Sequence, residues 1–241
     1  MARSDGPLGA WWAPVHRQAT MRRVAVSGCF VGVVALLASS ASAESGDSGA
    51  SLGLRTGWAL PMAALEKNDP MKSNFTGMLP LWFDAGYRWN SKLYTGAYFQ
   101  WAPLFVAGDY CSKNLQCSAT DIRFGIDAHW HFKGLFNGGD WGGPFDPWIG
   151  LGTGYESAVL QLETSLGATS HETHHGFEYA NVQLGGDVVT GPVHVGAFMT
   201  LALAEYSRLS LTTPLGTQGF AVSDPALHLW LFLGIRGQFD L

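Results

Sequence analysis

Charge is scarce in this 241-residue chain, since only 14% of the residues are Asp, Glu, Lys or Arg while 47% are hydrophobic. An ordinary soluble domain carries about a quarter charged residues, so the composition argues against a surface covered entirely by water. Residues 1–43 contain four Arg and one Asp, and the formal net charge of −5 therefore becomes −8 for the remainder. That negative balance excludes nucleic acid as an expected partner.

Long apolar runs are missing after residue 43. No stretch there approaches the ~18 apolar residues that a membrane-spanning helix requires. Because lipid admits only helices and closed barrels, any part of this region that enters a membrane must cross it as strands.

Cysteine is rare, with three in the whole chain. Cys111 and Cys117 bracket a short polar segment, and neither has a His or Cys neighbour at metal-ligand spacing. We therefore expect a disulfide between them, with two free thiols as the alternative and no zinc site. Cys29 would suit a lipoprotein signal, but only a few apolar residues precede it.

The N-terminal region has the features of an export signal. Residues 21–23 are Met-Arg-Arg, residues 24–38 are mostly apolar, and the small residues 41–43 form a cleavage site. This pattern predicts a secretory signal peptide over residues 21–43. Residues 1–20 fit no such pattern and are interpreted as an upstream extension of the gene model, and residues 44–50 as a short flexible N-terminus.

Alternation of apolar and polar residues dominates the rest of the chain and predicts eight strands. They lie at about 51–61, 76–89, 93–105, 119–132, 146–162, 177–190, 193–209 and 226–240. Short turns near residues 90–92 and 191–192 join strands two to three and six to seven. Loops of roughly a dozen residues join strands one to two, three to four, five to six and seven to eight. Strands four and five are joined by the long, Gly-rich segment 133–147.

The register of strands two and three follows from a three-residue turn. If Trp89 faces Leu93, then Asp84 faces Tyr98 and Arg88 faces Tyr94 on the polar side.

Eight strands can close into a barrel whose interior is filled by side chains and which leaves no wide pore. The second face of the strands carries Gly, Tyr, Gln and a few charges of both signs, which suits a crowded polar lumen better than a solvated surface. We therefore predict a closed antiparallel eight-stranded transmembrane β-barrel over residues 51–241. A secreted, soluble lipocalin-like ligand-binding barrel, with the apolar face inside, is the alternative.

The second face also defines a predicted polar network in the lumen. Its members are Arg55, Asp84, Arg88, Arg123, Asp127, His129, His131, Glu178, Asp187, His194, His228 and Arg236.

Histidines are the candidate residues for chemistry. His171, His174 and His175 lie in a predicted outer loop and are weak candidates for a metal site, but no further ligands accompany them. His129 and His131 near Asp127 could form a metal or proton-transfer site, although paired lumen residues are the expected reading.

An outer-membrane lipid-modifying enzyme is a further alternative. Such an enzyme needs its nucleophile and base where lipid can reach them, whereas four of the histidines fall on the inward register and no His-x-Ser pair occurs. We expect no catalytic residues, no metal and no cofactor.

The signal peptide, the alternating strands, the asymmetry of turns and loops, and the final strand HLWLFLGIRGQFDL together resemble the small outer-membrane β-barrels of diderm bacteria, the class of OmpX and the OmpA barrel domain. The chain departs from the class by ending in Phe-Asp-Leu rather than on an aromatic residue. The resemblance implies a Gram-negative outer-membrane location, with both termini in the periplasm and the long loops outside, the second of them holding the disulfide.

It also implies a structural or adhesive role. The expected partners are outer-membrane lipids and lipopolysaccharide, the outer-membrane assembly machinery through the C-terminal strand, and an unidentified extracellular ligand.

Overall fold

The computed structural model describes residues 48–66, 69–108, 111, 115–132, 144–164, 167–222 and 225–241. The predicted gene-model extension and signal peptide, most of the flexible N-terminus, and most of the Gly-rich connection lie outside these ranges. Within them, no helix is long and apolar enough to cross a membrane.

Strands account for almost all of the described chain. They are β1 (Gly49–Glu66), β2 (Asp69–Pro70), β3 (Phe75–Met78), β4 (Leu81–Arg88), β5 (Leu93–Val106), β6 (Leu115–His131), β7 (Phe145–Thr164), β8 (Thr169–Thr190), β9 (Val193–Thr213), β10 (Gly216–Ala221) and β11 (Leu227–Asp240). One short helix, α1 (Met71–Asn74), lies between β2 and β3.

The strands close into a ring. Going round it, β1 pairs with β4, then β5, β6, β7, β8, β9 and β11 follow, and β11 pairs back with β1, every pair antiparallel. Both β3 and β4 pair with β1 and β5, so they share one position in the ring, interrupted at Leu79 and Pro80. Proline has no N–H for the ladder, which accounts for a break there. The predicted closed eight-stranded barrel is confirmed.

The strands are steeply staggered. A row of cross-strand neighbours that starts at Arg88 passes once round the ring and returns to the same ring position at Met78, ten residues earlier in the chain. The intermediate members of the row are Tyr94, His129, Gly150, Gln183, Thr200, Phe232 and Ala59. A stagger of this kind goes with strands tilted by about 35–45° from the barrel axis.

The two ends of the barrel differ. We call one the turn end, because it holds the short turns at residues 89–92 and 191–192 and the C-terminus, where Leu241 N donates to Ala50 O. The other is the loop end, which holds the connections that follow β1, β5, β7 and β9. The predicted register beside the first turn is confirmed, since Asp84 pairs with Tyr98 and Arg88 with Tyr94.

The outer face of the barrel is apolar and the inner face is largely polar. Exposed outward side chains include Leu52, Phe83, Phe99, Phe124, Ile126, Leu151, Val182, Leu184, Val195, Leu201, Leu233 and Ile235. Aromatic side chains lie towards both ends of this band, with Trp89, Trp130 and Phe145 near the turn end and Trp58, Phe105 and Phe177 nearer the loop end. An apolar band between aromatic girdles around a polar interior is the arrangement of a membrane-spanning barrel. It is the reverse of a lipocalin-like binder.

Five strands extend further at the loop end than the sequence predicted, namely β1, β6, β7, β8 and β9. Residues 157–164 of β7, 169–176 of β8, 207–213 of β9, and β10 form a sheet that we call the loop-end extension. The predicted loop of about a dozen residues between strands five and six is wrong, because β7 and β8 stay paired as far as Glu163 and Thr169. The polar start of β8 lacks the apolar alternation of the rest, and for that reason it resembles a loop in the sequence.

The first loop-end connection folds into the mouth of the barrel. Met71 of α1 and Met78 of β3 are fully buried, and they belong to one apolar cluster with Phe75 and Leu104. A cavity of about 20 Å³ remains next to Phe75, enough for roughly one water molecule. The lumen is therefore closed by apolar side chains at the loop end and filled below them by polar and aromatic ones.

Candidate functional site

All twelve residues of the predicted lumen network lie on the inner face, and all are buried except Asp84, which keeps a small exposed fraction. Alternation positions them, because every second residue of a strand faces the same side of the sheet. Glycines on the same face leave room for the larger groups. A Cβ atom at Gly154 would overlap the Tyr98 hydroxyl, and one at Gly185 would overlap the Trp148 ring.

Arg123 is the centre of the largest charged cluster, and its side chain is completely buried. Its guanidinium lies 2.8 Å from Asp121 Oδ2, 2.8 Å from Glu156 Oε1 and 2.9 Å from Glu178 Oε2. We call these four residues the Arg123 cluster. Three carboxylates around one guanidinium require further donors, because each buried charge needs compensating hydrogen bonds.

Those donors come from strands on several sides of the ring. Gln100 Nε2 donates to Asp121 Oδ2 at 2.9 Å, and the Tyr98 hydroxyl donates to Glu178 Oε1 at 2.7 Å. The Tyr206 hydroxyl donates to Glu156, whose other oxygen lies 3.1 Å from His228 Nε2. The cluster therefore ties β5, β6, β7, β8, β9 and β11 together across the lumen.

Arg55 organises a second cluster closer to the turn end. Its Nε donates to Asp84 Oδ2 at 2.8 Å, its NH1 to Gln183 Oε1 at 2.7 Å, and its NH2 to Asp127 Oδ2 at 3.1 Å. The guanidinium also lies 4.6 Å from the centre of the Trp82 ring, a favourable cation–π distance. Gln183 Nε2 donates to Asn181 Oδ1 at 2.7 Å, and the Asn181 amide donates to Glu178, so the two clusters form one network.

His129 extends the network to the opposite wall. Its Nε2 lies 3.1 Å from Asp127 Oδ2, and its Nδ1 lies 3.3 Å from a guanidinium nitrogen of Arg236. Arg236 donates from Nε to Asp187 Oδ1 at 2.9 Å and lies 3.8 Å from the centre of the Trp148 ring. Because β6 and β11 stand on opposite sides of the ring, these contacts span its full width.

The remaining predicted residues pair at the turn end. Arg88 Nε donates to Asp240 Oδ2 at 2.9 Å, and His194 Nε2 lies 3.0 Å from the same oxygen. His131 Nδ1 lies 2.9 Å from Asp146 Oδ2. Each of the four predicted inward histidines thus lies next to a carboxylate.

The sequence interpretation missed several members of this network. Asp121, Asp146 and Glu156 are buried carboxylates that the predicted network does not include, and it does not include Asp240. Glu156 had a usable signal, because it lies on the same alternate register as Gly150, Gly152 and Gly154, which face the lumen. The hydrogen-bonding roles of Tyr98 and Tyr206 carried no such signal.

His171, His174 and His175 lie within β8, and the prediction that they occupy an outer loop is wrong. Strand alternation separates them, since His174 faces inward towards the Tyr206 ring while His175 stacks on the outward-facing Tyr155. His174 Nε2 pairs with Glu172 Oε1 at 2.9 Å. Among the described residues, no group of three or more His, Cys, Asp or Glu side chains is arranged to hold a metal ion.

Cys111 and Cys117 are joined by a disulfide, with their Cα atoms 6.3 Å apart. The bond links the connection after β5 to the start of β6, in the second loop-end connection. Cys117 packs against the apolar cluster at the barrel mouth.

Comparison with known proteins gave structural similarity only. No family model matches the chain, and no curated protein matches it. Among solved structures, the chain is similar to the outer membrane protein OprG from Pseudomonas aeruginosa, with 14% identity and a TM-score of 0.47 over 81% of this chain and 99% of that chain.

Two further structures are similar to the same degree. Neisserial surface protein A has 13% identity and a TM-score of 0.45 over 81% of this chain and 97% of that chain. A major outer membrane protein of Thermus thermophilus has 13% identity and a TM-score of 0.45 over 79% of this chain and 99% of that chain.

Proposed function

We propose that this chain is an integral protein of a bacterial outer membrane, with a structural role and a loop end that makes contacts outside the cell. The observation that supports it is that the outer face of the barrel is apolar and the inner face is largely polar. Exposed Leu, Ile, Val and Phe side chains cover the outside, while Arg55, Arg123 and Arg236 are buried and paired inside. Such a surface is costly in water and favourable in lipid.

A contact role for the loop end is supported by the shape of the extension. β10 has all six of its residues exposed and pairs only with β9 among the described strands. Strands that continue beyond an apolar band project into water, where they present polar groups to other molecules. In this proposal the turn end faces the periplasm.

Fractionation of cells that express the protein tests the location. We expect the chain in the outer-membrane fraction, released by detergent but not by salt or urea. The folded form should migrate faster than the boiled form in a gel, because a barrel resists detergent until it is heated. Recovery from the aqueous fraction without detergent would contradict the proposal.

Labelling of intact cells tests the orientation. A membrane-impermeant maleimide should react with Gly219→Cys, in the exposed β10, and not with Ser91→Cys, in the turn between β4 and β5. Both variants should react equally after the cells are lysed. The opposite pattern in intact cells would mean that the loop end faces the periplasm.

A further inference from the structure

The outer face of β7 and β8 changes from apolar to polar at one level. On β8, Leu184 and Val182 are exposed, the exposed aromatic residues Tyr179 and Phe177 follow them, and the next outward residues are His175 and Thr173. On β7 the sequence of outward residues is Leu151, Thr153, Tyr155 and then Ser157. Aromatic side chains prefer the boundary between lipid and water. The hydrocarbon therefore ends near Tyr155 and Phe177, and the residues just beyond them lie at the level of the lipid headgroups.

Three polar side chains form a row at that level. Ser157 pairs with His175, and His175 pairs with Arg208 on β9. Directly paired residues on one face have Cβ atoms about 4.5–5.5 Å apart. Ser157 Oγ lies 3.3 Å from His175 Nδ1. We call Ser157, His175 and Arg208 the outer polar row.

A β-bulge turns Arg208 to the outside. Tyr206 is buried in the lumen, and simple alternation would direct Arg208 inward as well. The register shifts between the Gly176–Tyr206 and His175–Arg208 pairs, so Ser207 is the extra residue and Arg208 joins the outer face. Bulges commonly redirect a side chain in this way.

Arg208 differs from the other described arginines. Arg55, Arg88, Arg123 and Arg236 all point into the lumen and pair with carboxylates. Arg208 is exposed and forms no salt bridge with any described carboxylate. Its guanidinium is thus free to bind an anion from outside the protein.

We propose that the outer polar row binds the phosphate group of an anionic membrane lipid in the leaflet next to the loop end. The guanidinium of Arg208 offers two parallel donors that match phosphate oxygens. Ser157 and His175 add one further donor from the neighbouring strands, because the hydrogen bond between them leaves free either the ring Nε2–H or the hydroxyl. The lipid's acyl chains would lie along Val182 and Leu184, which favours a lipid over free phosphate. This inference rests on the proposed insertion of the barrel in a membrane.

The positive charge of the outer polar row comes from Arg208. Burial, together with the neighbouring His174 and Arg208, lowers the pKa of His175. The lowered pKa favours the neutral ring, which contributes hydrogen bonding rather than charge.

Native mass spectrometry of the full protein in a non-ionic detergent tests the site. The probes are phosphatidic acid, the matching diacylglycerol that lacks phosphate, and inorganic phosphate. We expect one tightly bound phosphatidic acid, whose affinity falls about tenfold in Arg208→Gln, as for loss of a charged hydrogen-bonded pair. Lys92→Gln is the matched control, because Lys92 is an exposed cation at the turn end, and it should retain the affinity.

Three results would overturn the proposal. These are unchanged phosphatidic acid affinity in Arg208→Gln, equal binding of diacylglycerol, and displacement of the lipid by inorganic phosphate at similar concentration. Heat-modifiable migration of Arg208→Gln shows that the variant is folded. A folded, membrane-inserted protein that fails the lipid test refutes the lipid site alone, whereas failure to fractionate with the membrane refutes the proposed function.

Discussion

At the scale of single residues, Arg123 carries the clearest energetic role. It is the one arginine in contact with the three buried carboxylates of the Arg123 cluster among the described residues, so removing it leaves their charges poorly compensated in the lumen. We expect Arg123→Met to lower the free energy of unfolding by about 3–5 kcal/mol. Urea unfolding in lipid vesicles, followed by tryptophan fluorescence, measures the change.

Glu156→Gln is the matched comparison in the same cluster. It removes one negative charge from a set that has an excess of them, and the amide can still accept from Tyr206. Its cost should stay below about 2 kcal/mol. If Glu156→Gln lowers the free energy of unfolding as much as Arg123→Met does, the excess negative charge of the cluster has no energetic consequence.

One carboxyl group at the loop end titrates in a predictable direction. The hydrogen bond from His174 lowers the pKa of Glu172. A depressed folded-state pKa stabilises the protein above the unfolded-state value, and that contribution is lost as the pH falls through the folded-state value. Carboxyl chemical shifts of the folded protein should show the lowered pKa of Glu172, and His174→Ala should return it towards the ordinary glutamate value. An unchanged pKa in that variant would contradict the assignment.

At the scale of strands, the apolar outer face gives a prediction for β11. Leu233 lies near the middle of β11, faces outward and is 48% exposed. Leu233→Arg should cost about 2–4 kcal/mol, the penalty for arginine facing lipid near the midplane. Leu241 lies on the same face at the turn end, where the lipid meets water. Leu241→Arg should therefore cost only about 0–1 kcal/mol. Comparable stability of both variants in vesicles would mean that this face does not meet lipid.

The same reasoning explains which strand segments the sequence could predict. Within the apolar band, lipid on one side and a packed lumen on the other require strict alternation, so β5, β6 and β11 were located to within a few residues apart from the start of β6. In the loop-end extension many outward groups are polar, among them Ser157, Thr173 and His175. No lipid selects apolar residues there, and the period-two signal is lost.

Alternation in the sequence predicts which residues face the lumen, but it does not predict which of them contact each other. Alternation decides that Arg236 and His129 both face inward. Their contact across the ring depends on the stagger with which the strands close, and that stagger follows from the register of every strand pair together. A single strand read by itself contains no information about it. The outer placement of Arg208 was unpredictable for a related reason, since it depends on one bulged residue.

At the scale of the whole molecule, the barrel is closed in two independent ways. Met71, Phe75 and Met78 fill the loop end, and the Arg123 cluster and its neighbours cross the lumen below them. Eight strands leave little interior space even before these groups are added. We therefore expect no sustained conductance steps when the purified protein is inserted in a planar bilayer.

Removing the apolar side chains that fill the loop end tests whether the charged network across the lumen is sufficient to keep the barrel closed. In Met71→Ser with Phe75→Ser, the apolar filling of the mouth becomes hydrated, but the ion pairs of Arg55, Arg123 and Arg236 still span the ring. The double variant should remain non-conducting, because opening a path would separate buried charges that are expensive to leave unpaired. Steps in the double variant alone would identify the mouth as the only effective closure. Steps in the unmodified protein would show that neither closure holds and that the chain acts as a pore.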